Sequence, residues 1–408
     1  MKPVLVLTYW SFKDALVQTY TLPYVKIIAA VSKRKVYLVC LEQSQLKTSY
    51  QERIKTNADL QKDNMQVIFL EYNRFGIKQI LMWSFYLTKL LYFVNKKGVE
   101  YIHTWGTPAG AIGYLLSILS GKPLILDSYE PHAETMIENG TWKLNSWAYK
   151  ILFELEIRQS HRAKYYIAAA SGMKDYAQKT YNLQIDNNCF FTKPACTDLE
   201  KFNFMYRDSQ LINELDLDGK IICVYAGKFG GIYLDDEIFD FFKQCFKHWK
   251  GNFRILMLTN ASIESISKQL QRVQIPNNVL IQKFVPHYDI PKYLAIADFA
   301  LTPVKPIPTK RYCTPIKDGE YWATGLPVVI TSNISDDSDI IEENNAGYVL
   351  KSLTDNEYNN AITKIDDLLK EDNGLLKKRI RALAYKYRNF DIVEKIYRQI
   401  YSVPDTVK

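Results

Sequence analysis

The sequence predicts an α/β protein built from two doubly wound parallel-sheet domains. Three observations carry this. Short apolar or β-branched runs alternate with helical patterns along most of the chain, the sequence form of βαβ units. The alternation breaks in a polar stretch, Asp198 to Gly219, and then restarts. The 408 residues suffice for two cores of ordinary domain size. The boundary is placed in this break. An N-terminal domain covers 1–197, joined by terminal helices over about 386–408, and a C-terminal domain covers 198–385.

The first set of predicted strands is Val4–Trp10, Lys35–Glu42, Met65–Glu71, Glu100–Trp105, Pro123–Asp127 and Tyr165–Ala170. Between the third and fourth lies Ile80 to Val94, interrupted among charges by Lys89 alone. It is too short to span a bilayer. Its apolar residues run nearly all the way round, which predicts a helix buried against the sheet. Trp83, Tyr92, Lys96 and Lys97 keep an interfacial helix as the competing reading. The second set of strands is Ile221–Ala226, Arg254–Thr259, Val279–Phe284, Phe299–Val304, Val328–Thr331 and Tyr348–Leu350. The tail, Tyr385 to Tyr401, reads as two helical pieces joined near Phe390-Asp391. No repeat of solenoid period is visible. Two such domains face each other across a cleft, where doubly wound sheets bind ligands at the carboxyl ends of their strands.

Composition narrows the class. Apolar residues make up 47% and charged residues 24%, as in an ordinary globular protein. The net charge of +8 fits an anionic small molecule or an anionic membrane surface, and is too diffuse for nucleic acid. The six cysteines are scattered without a CxxC pair, which predicts free thiols in a reducing compartment. Met1-Lys2-Pro3 runs straight into a strand with no signal peptide, so the predicted location is cytoplasmic.

The most informative segment is Thr314 to Thr331. Thr314 is a good N-cap, Pro315 suits the first helical position, and Ile316 follows. Gly325 fits the left-handed residue after the last turn, and Pro327 blocks continuation. The preceding loop carries Lys305, Pro306, Pro308, Lys310 and Arg311. A helix that opens under a basic loop is an anion site. Lys317 adds a full positive charge in the first turn, and Glu320 shares its face. Lys228 follows a strand beside Gly227 and Gly230-Gly231, an arrangement that lets backbone amides approach a phosphate. At the carboxyl edge of the first sheet, His132 follows Asp127-Ser128-Tyr129-Glu130-Pro131, and His103 ends another strand beside Trp105 and Gly106. Asp127 and Glu130 are candidate bases on this side, with structural hydrogen bonding as the plainer role. Tyr9, Trp10, Trp105 and Tyr129 suit stacking on sugar faces. His161, His248 and His287 show no metal-ligand spacing, so no metal is assigned. Asp337-Ser338-Asp339 and Asp235-Asp236-Glu237 open helices and read as ordinary complements of the helix dipole.

Four segments in order resemble the family-4 retaining glycosyltransferases of the two-Rossmann-domain (GT-B) architecture. They are Pro194 to Phe202, Val224 to Lys228, Phe284 to Leu294 with Ala297-Asp298, and the helix over Pro315–Thr324. The resemblance implies transfer of a sugar from a nucleoside-diphosphate sugar to a carbohydrate or lipid-linked glycan. It implies retained anomeric configuration, no cofactor and no required metal, in surface polysaccharide or lipopolysaccharide assembly. It places the donor on the second domain. Lys228 and Lys317 would neutralise the diphosphate, with Gly227, Phe229, Gly230 and Gly231 close to it. Glu320 would hold the ribose, Val285, Pro286 and His287 the base, and Thr314, Pro315 and Ile316 the helix end. His132 would lie by the sugar and phosphate. Trp10, His103, Trp105, Asp127 and Glu130 would face the acceptor.

Three departures from the family pattern stand out. Tyr312 occupies the donor-side position of a second glutamate, Gly230-Gly231-Ile232-Tyr233 lacks the second basic residue, and Tyr9-Trp10-Ser11-Phe12 replaces the glycine pair after the first strand. The expected partners are a nucleotide sugar, a glycan or lipid-linked acceptor, and a peripheral contact with the inner membrane surface. The competing readings are a sugar-nucleotide epimerase and a non-catalytic sugar-nucleotide-binding partner. A dehydrogenase is disfavoured, because no G-x-G-x-x-G follows the first strand.

Overall fold

A computed structural model describes residues 1–72, 77–203 and 207–402, with side chains 77–81 set aside. The chain divides into two compact units, Met1–Lys193 with Asp391–Lys408, and Pro194–Phe390. The structure thus divides the chain at 193/194 and 390/391, where the sequence placed the divisions at 197/198 and about 386.

The first unit holds seven parallel strands: β1 Val4–Thr8, β2 Val36–Glu42, β3 Met65–Glu71, β4 Tyr101–Trp105, β5 Leu124–Tyr129, β6 Ala163–Ala168 and β7 Phe190–Thr192. Their order is 3-2-1-4-5-6-7. The helices are α1 Leu22–Ser32, α2 Tyr50–Gln61, α3 Ile77–Lys97, α4 Thr107–Ser120, α5 His132–Glu138, α6 Trp147–Arg162 and α7 Met173–Thr180. β1, β2 and β4 are buried at every position, as parallel strands covered on both faces must be. α2 starts on a capping box, in which Ser49 and Glu52 each satisfy the other's backbone amide.

The second unit repeats the plan with six strands in the order 10-9-8-11-12-13. They are β8 Ile221–Ala226, β9 Phe253–Leu258, β10 Leu280–Lys283, β11 Phe299–Thr302, β12 Val328–Thr331 and β13 Gly347–Leu350. The helices are α8 Ser209–Glu214, α9 Asp236–Trp249, α10 Ile263–Val273, α11 Ile290–Ala295, α12 Ile316–Ala323, α13 Asp337–Glu343, α14 Asp355–Leu369 and α15 Asn373–Tyr387. α16, Phe390–Tyr401, follows and lies almost wholly in the first unit. In each sheet the strand order reverses beside the first strand, at β1/β4 and β8/β11. Doubly wound sheets bind ligands at that switch point.

The structure corrects several sequence readings. β7 was not foreseen, because three residues leave too little periodicity. β1 ends at Thr8, so Tyr9 and Trp10 belong to the loop beyond it. α3 is buried on one side only. Tyr86, Leu90 and Val94 face inward, while Phe85 and Tyr92 are each 64% exposed. Tyr86, Leu90 and Val94 recur every four residues, so a single stripe meets the core. Thr314 does not cap α12. Pro315 occupies the cap position and no side chain bonds the first-turn amides, while the Thr314 hydroxyl pairs with Ser335 at 3.1 Å.

None of the six cysteines is in a disulfide. Among the described residues, no helix is long and apolar enough to cross a membrane, and no group of three or more histidine, cysteine or acidic side chains gathers for a metal.

Candidate functional site

α12 is positioned from both ends. At its carboxyl end Gly325 takes φ 76°, its amide bonds to Trp322, and the Leu326 amide returns to Tyr321. This is a Schellman closure, and Pro327 then turns the chain into β12. In mid-helix Gly319 sits against Thr197. A Cβ there would lie 2.3 Å from the Thr197 hydroxyl, so only glycine allows the approach.

A charged cluster lies beneath the helix. Arg388 pairs with Asp337, and Asp318 accepts from Thr302. Burial raises the pKa of both Asp318 and Asp337, and Asp337 donates to Asp318. The upward shift is what two adjacent buried carboxyls produce, and the Arg388 charge works against it in both.

The opposite side of the first turn presents Lys317. Its ammonium is buried and has no hydrogen-bond partner. It lies over two aromatic rings, 4.4 Å from the centroid of Tyr225 and 4.1 Å from that of Tyr233. Burial pushes its pKa down to about 7, against the upward pull of Asp318 and Glu320. The full positive charge expected from the sequence is thus only half present at neutral pH. The ring faces offset part of the desolvation cost, as cation–π contacts do.

Gly227 makes room for this ammonium. Its φ is 142°, and a Cβ would lie 2.8 Å from the Lys317 nitrogen. Gly230 and Gly231 also take positive φ. The exposed Lys228 closes the turn, its carbonyl accepting from Tyr225, and Phe229 packs edge-on against Phe239. Uncapped amides, a buried unpartnered ammonium and a glycine loop therefore meet at the carboxyl end of β8, which is the switch point of this sheet.

One turn deeper, Glu320 accepts from His287 Nε2 at 2.7 Å, and Lys201 reaches His287 Nδ1 at 3.0 Å. Val285 is half-buried beside the exposed Pro286, and Tyr312 and Ile316 flank the helix end. The basic loop is largely engaged elsewhere. Arg311 bonds Asp339 at 2.8 Å, and Lys305 lies 3.9 Å from Asp235.

In the first unit the sequence candidates separate into two groups. Trp10 lies against Gly106, whose added Cβ would be 3.3 Å from the ring. Glu130 and His132 are half-buried at the end of β5, with 3.4 Å between carboxylate and Nδ1. These residues share the carboxyl edge of the sheet. His103, Trp105 and Asp127 do not face a ligand-accessible surface, for all three are fully buried. Asp127 pairs with Lys193 at 2.6 Å and His103 at 3.1 Å. Tyr397 donates to Asp127 at 2.9 Å, and Tyr401 pairs with His103 at 2.6 Å. The Lys193 ammonium stands 3.8 Å from the Trp105 centroid. Burial drives the Asp127 carboxyl up, but Lys193 and His103 more than offset it, and the net shift is downward. Burial holds His103 below its ordinary pKa. The network is a socket for α16.

Sequence reasoning missed Tyr225, Tyr233, Asp318, Lys193, Tyr397 and Tyr401. A tyrosine in a strand or helix looks like core until its partners are known.

Sequence comparison matches residues 243–400 to the family described as Glucosyltransferase 3-like, C-terminal domain. The chain carries a glycosyltransferase domain. No curated protein matches the sequence. Solved structures match this glycosyltransferase over its length. HepE from Anabaena, in complex with UDP, aligns with a TM-score of 0.73 at 14% identity, over 99% of this chain and 100% of that one. Sucrose-phosphate synthase from Thermosynechococcus elongatus gives 0.70 at 13%, over 98% and 100%. WaaG, a glycosyltransferase involved in lipopolysaccharide biosynthesis, gives 0.68 at 12%, over 99% and 100%. These likenesses establish the GT-B fold.

Proposed function

We propose that this glycosyltransferase moves a sugar from a uridine-diphosphate sugar to a glycan or lipid-linked glycan, with retention and without a divalent metal. The observation that carries this reading is the buried, unpartnered ammonium of Lys317 at an uncapped helix end. Such a group is costly unless an anion completes it. The diphosphate would accept from the first-turn amides of α12 and from Lys317 and Lys228. Breaking the anomeric C–O bond leaves negative charge on the diphosphate, and these fixed donors would stabilise it without reorganising. Removing one such donor costs roughly 3–4 kcal/mol of barrier. Glu320 would take the ribose hydroxyls, with His287 yielding its place or orienting the carboxylate.

Uridine is favoured by the UDP and UDP-glucose complexes of HepE. Retention, and work on surface polysaccharide or lipopolysaccharide, follow the family-4 resemblance and the likeness to WaaG. Trp10, Glu130 and His132 remain as acceptor-side candidates in the first unit.

The test is a thermal-shift comparison of UDP, GDP and CMP on the wild-type chain and Lys317→Met. At ~100 times its dissociation constant a ligand adds about 2.7 kcal/mol of stability. UDP should shift the wild type alone. An equal shift in Lys317→Met removes the assignment.

A further inference from the structure

Three helices of the first unit, α3, α4 and α6, pack side by side as one layer. Their outward faces are unusual. Of the eleven exposed large apolar side chains in this unit's described residues, seven lie on these helices. α4, in the middle, carries no charged residue. Its outward stripe is Leu115, Ile118 and Leu119, exposed by 44, 50 and 55%. A solvated surface helix would place polar residues there. α3 adds Phe85 and Tyr92, and α6 adds Trp147, 81% exposed, and Ile151.

Lysines are interleaved with these aromatics. The Lys96 ammonium lies 5.3 Å from the Tyr92 centroid, and that of Lys150 lies 6.0 Å from that of Trp147. Lys89 and Lys97 are exposed on α3 as well. α3 has no acidic residue. The acids of α6 are Glu156, which is buried, and Glu154, which is bound to Arg158 at 2.6 Å.

We propose that the α3–α4–α6 face is a peripheral docking surface for a membrane containing anionic lipid. An apolar centre with an aromatic and cationic surround is the arrangement that settles at the headgroup boundary. Leu115, Ile118 and Leu119 enter the acyl boundary, Trp147 and Tyr92 sit at headgroup level, and the lysines meet lipid phosphates. The charge pattern selects this occupant over a second copy of the chain. Two such faces pressed together would oppose lysine to lysine, with only one carboxylate per face, and that one already paired. The surface would hold the enzyme where lipid-linked glycans lie, but it stands independently of the donor assignment.

The experiment is co-sedimentation of the full chain with vesicles of phosphatidylcholine alone and of an equimolar mixture with phosphatidylglycerol. The wild type should pellet with the mixed vesicles and stay in solution with the neutral ones. Neutralising two lysines, Lys89→Gln with Lys96→Gln, should weaken partition by roughly 30-fold. Leu115→Ser with Ile118→Ser should abolish it. These positions are exposed, so both variants should keep the wild-type unfolding temperature and the full UDP shift, which separates this result from the donor reading. Three outcomes overturn the proposal. The wild type remains in solution with both vesicles, the variants pellet like the wild type, or light scattering without vesicles shows a dimer that Leu115→Ser with Ile118→Ser dissociates.

Discussion

Lys317 should make nucleotide binding a proton-linked event. In the free protein its ammonium titrates near pH 7, because burial disfavours the charge and no hydrogen bond supports it. A diphosphate in contact restores the charged form and raises its pKa again. The complex then binds more protons than the free site, so affinity must fall as pH rises. The decline begins at about pH 7 and runs at about 1.4 kcal/mol, or tenfold, per pH unit until the pKa of the complex is reached. Below about pH 7 the affinity should level off. Proton uptake follows the same arithmetic. The site is about half neutral at pH 7 and about nine-tenths neutral at pH 8, so binding should take up ~0.5 and ~0.9 protons. The terminal phosphate ionises with a pKa of about 6, which leaves the window above neutrality to the lysine.

Titration calorimetry of UDP in two buffers of different ionisation heat measures both quantities. Lys317→Met should bind weakly and lose the pH slope. A wild-type dissociation constant that is flat from about pH 7 to 9, with no proton uptake, would refute the placement of a buried lysine against the diphosphate.

Lys317→Met should also stabilise the free protein by a few kcal/mol at neutral pH. The unfolded lysine keeps its proton up to about 10.5 and the folded one loses it near 7, so the variant's advantage is greatest below 7 and fades as pH approaches 10.5. Denaturant unfolding across pH tests this, and an unstabilised variant at pH 7 speaks against the burial cost. Gly227→Ala should keep the fold but weaken UDP binding about tenfold or more, since the methyl meets Lys317 at 2.8 Å and the backbone is strained; calorimetry reads it. Asp127→Ala should destabilise the first unit by about 3–5 kcal/mol, because it strands the buried Lys193; urea unfolding measures it. Burial raises the Glu156 carboxyl to about 8, from 4.5 when unfolded. The folded state then binds the extra proton, and stability is lost as pH rises from about 4.5 to 8. Glu156→Gln should remove that loss, seen as a flatter melting profile over the same range.

The strands were legible because parallel strands buried on both faces need continuous β-branched and apolar runs. β3, β8 and β12 fall on the residues expected, and the other expected strands shift by one or two at their ends. The helix over 316–323 was legible from its punctuation, Pro315, Gly325 and Pro327, although a proline took the cap that Thr314 was expected to supply. What sequence pattern could not convey was which polar groups turn inward. His103, Trp105 and Asp127 lie in the carboxyl-terminal parts of β4 and β5, the side a ligand site would use, though His103 is the middle residue of its strand. Lys193 and the tyrosines of α16, far along the chain, occupy that place. Only the fold brings Lys193 and Tyr397 within 3 Å of Asp127, and Tyr401 within 2.6 Å of His103. Amphipathicity misled at α3 for a related reason. Apolar residues all round predict burial, but the outward ones remain exposed beside lysines.

The second unit treats two of its buried charge groups differently, and the contrast argues for function at one of them. Under α12, Asp337 pairs with Arg388 and Asp318 accepts from Thr302, so each carboxyl has a polar partner within the unit, although one oxygen of each and Arg388 Nε do not. On the other side of the same turn, Lys317 receives only ring faces. A buried ammonium without an acceptor would be replaced at little cost by methionine if packing were its purpose. Gly227 leaves the space that the ammonium occupies, for a Cβ there would lie 2.8 Å from it. Gly227, Tyr225 and Tyr233 thus surround an ammonium that no hydrogen-bond acceptor in the unit completes. In the proposed function a bound anion would fill it, at the helix end where no side-chain cap is made.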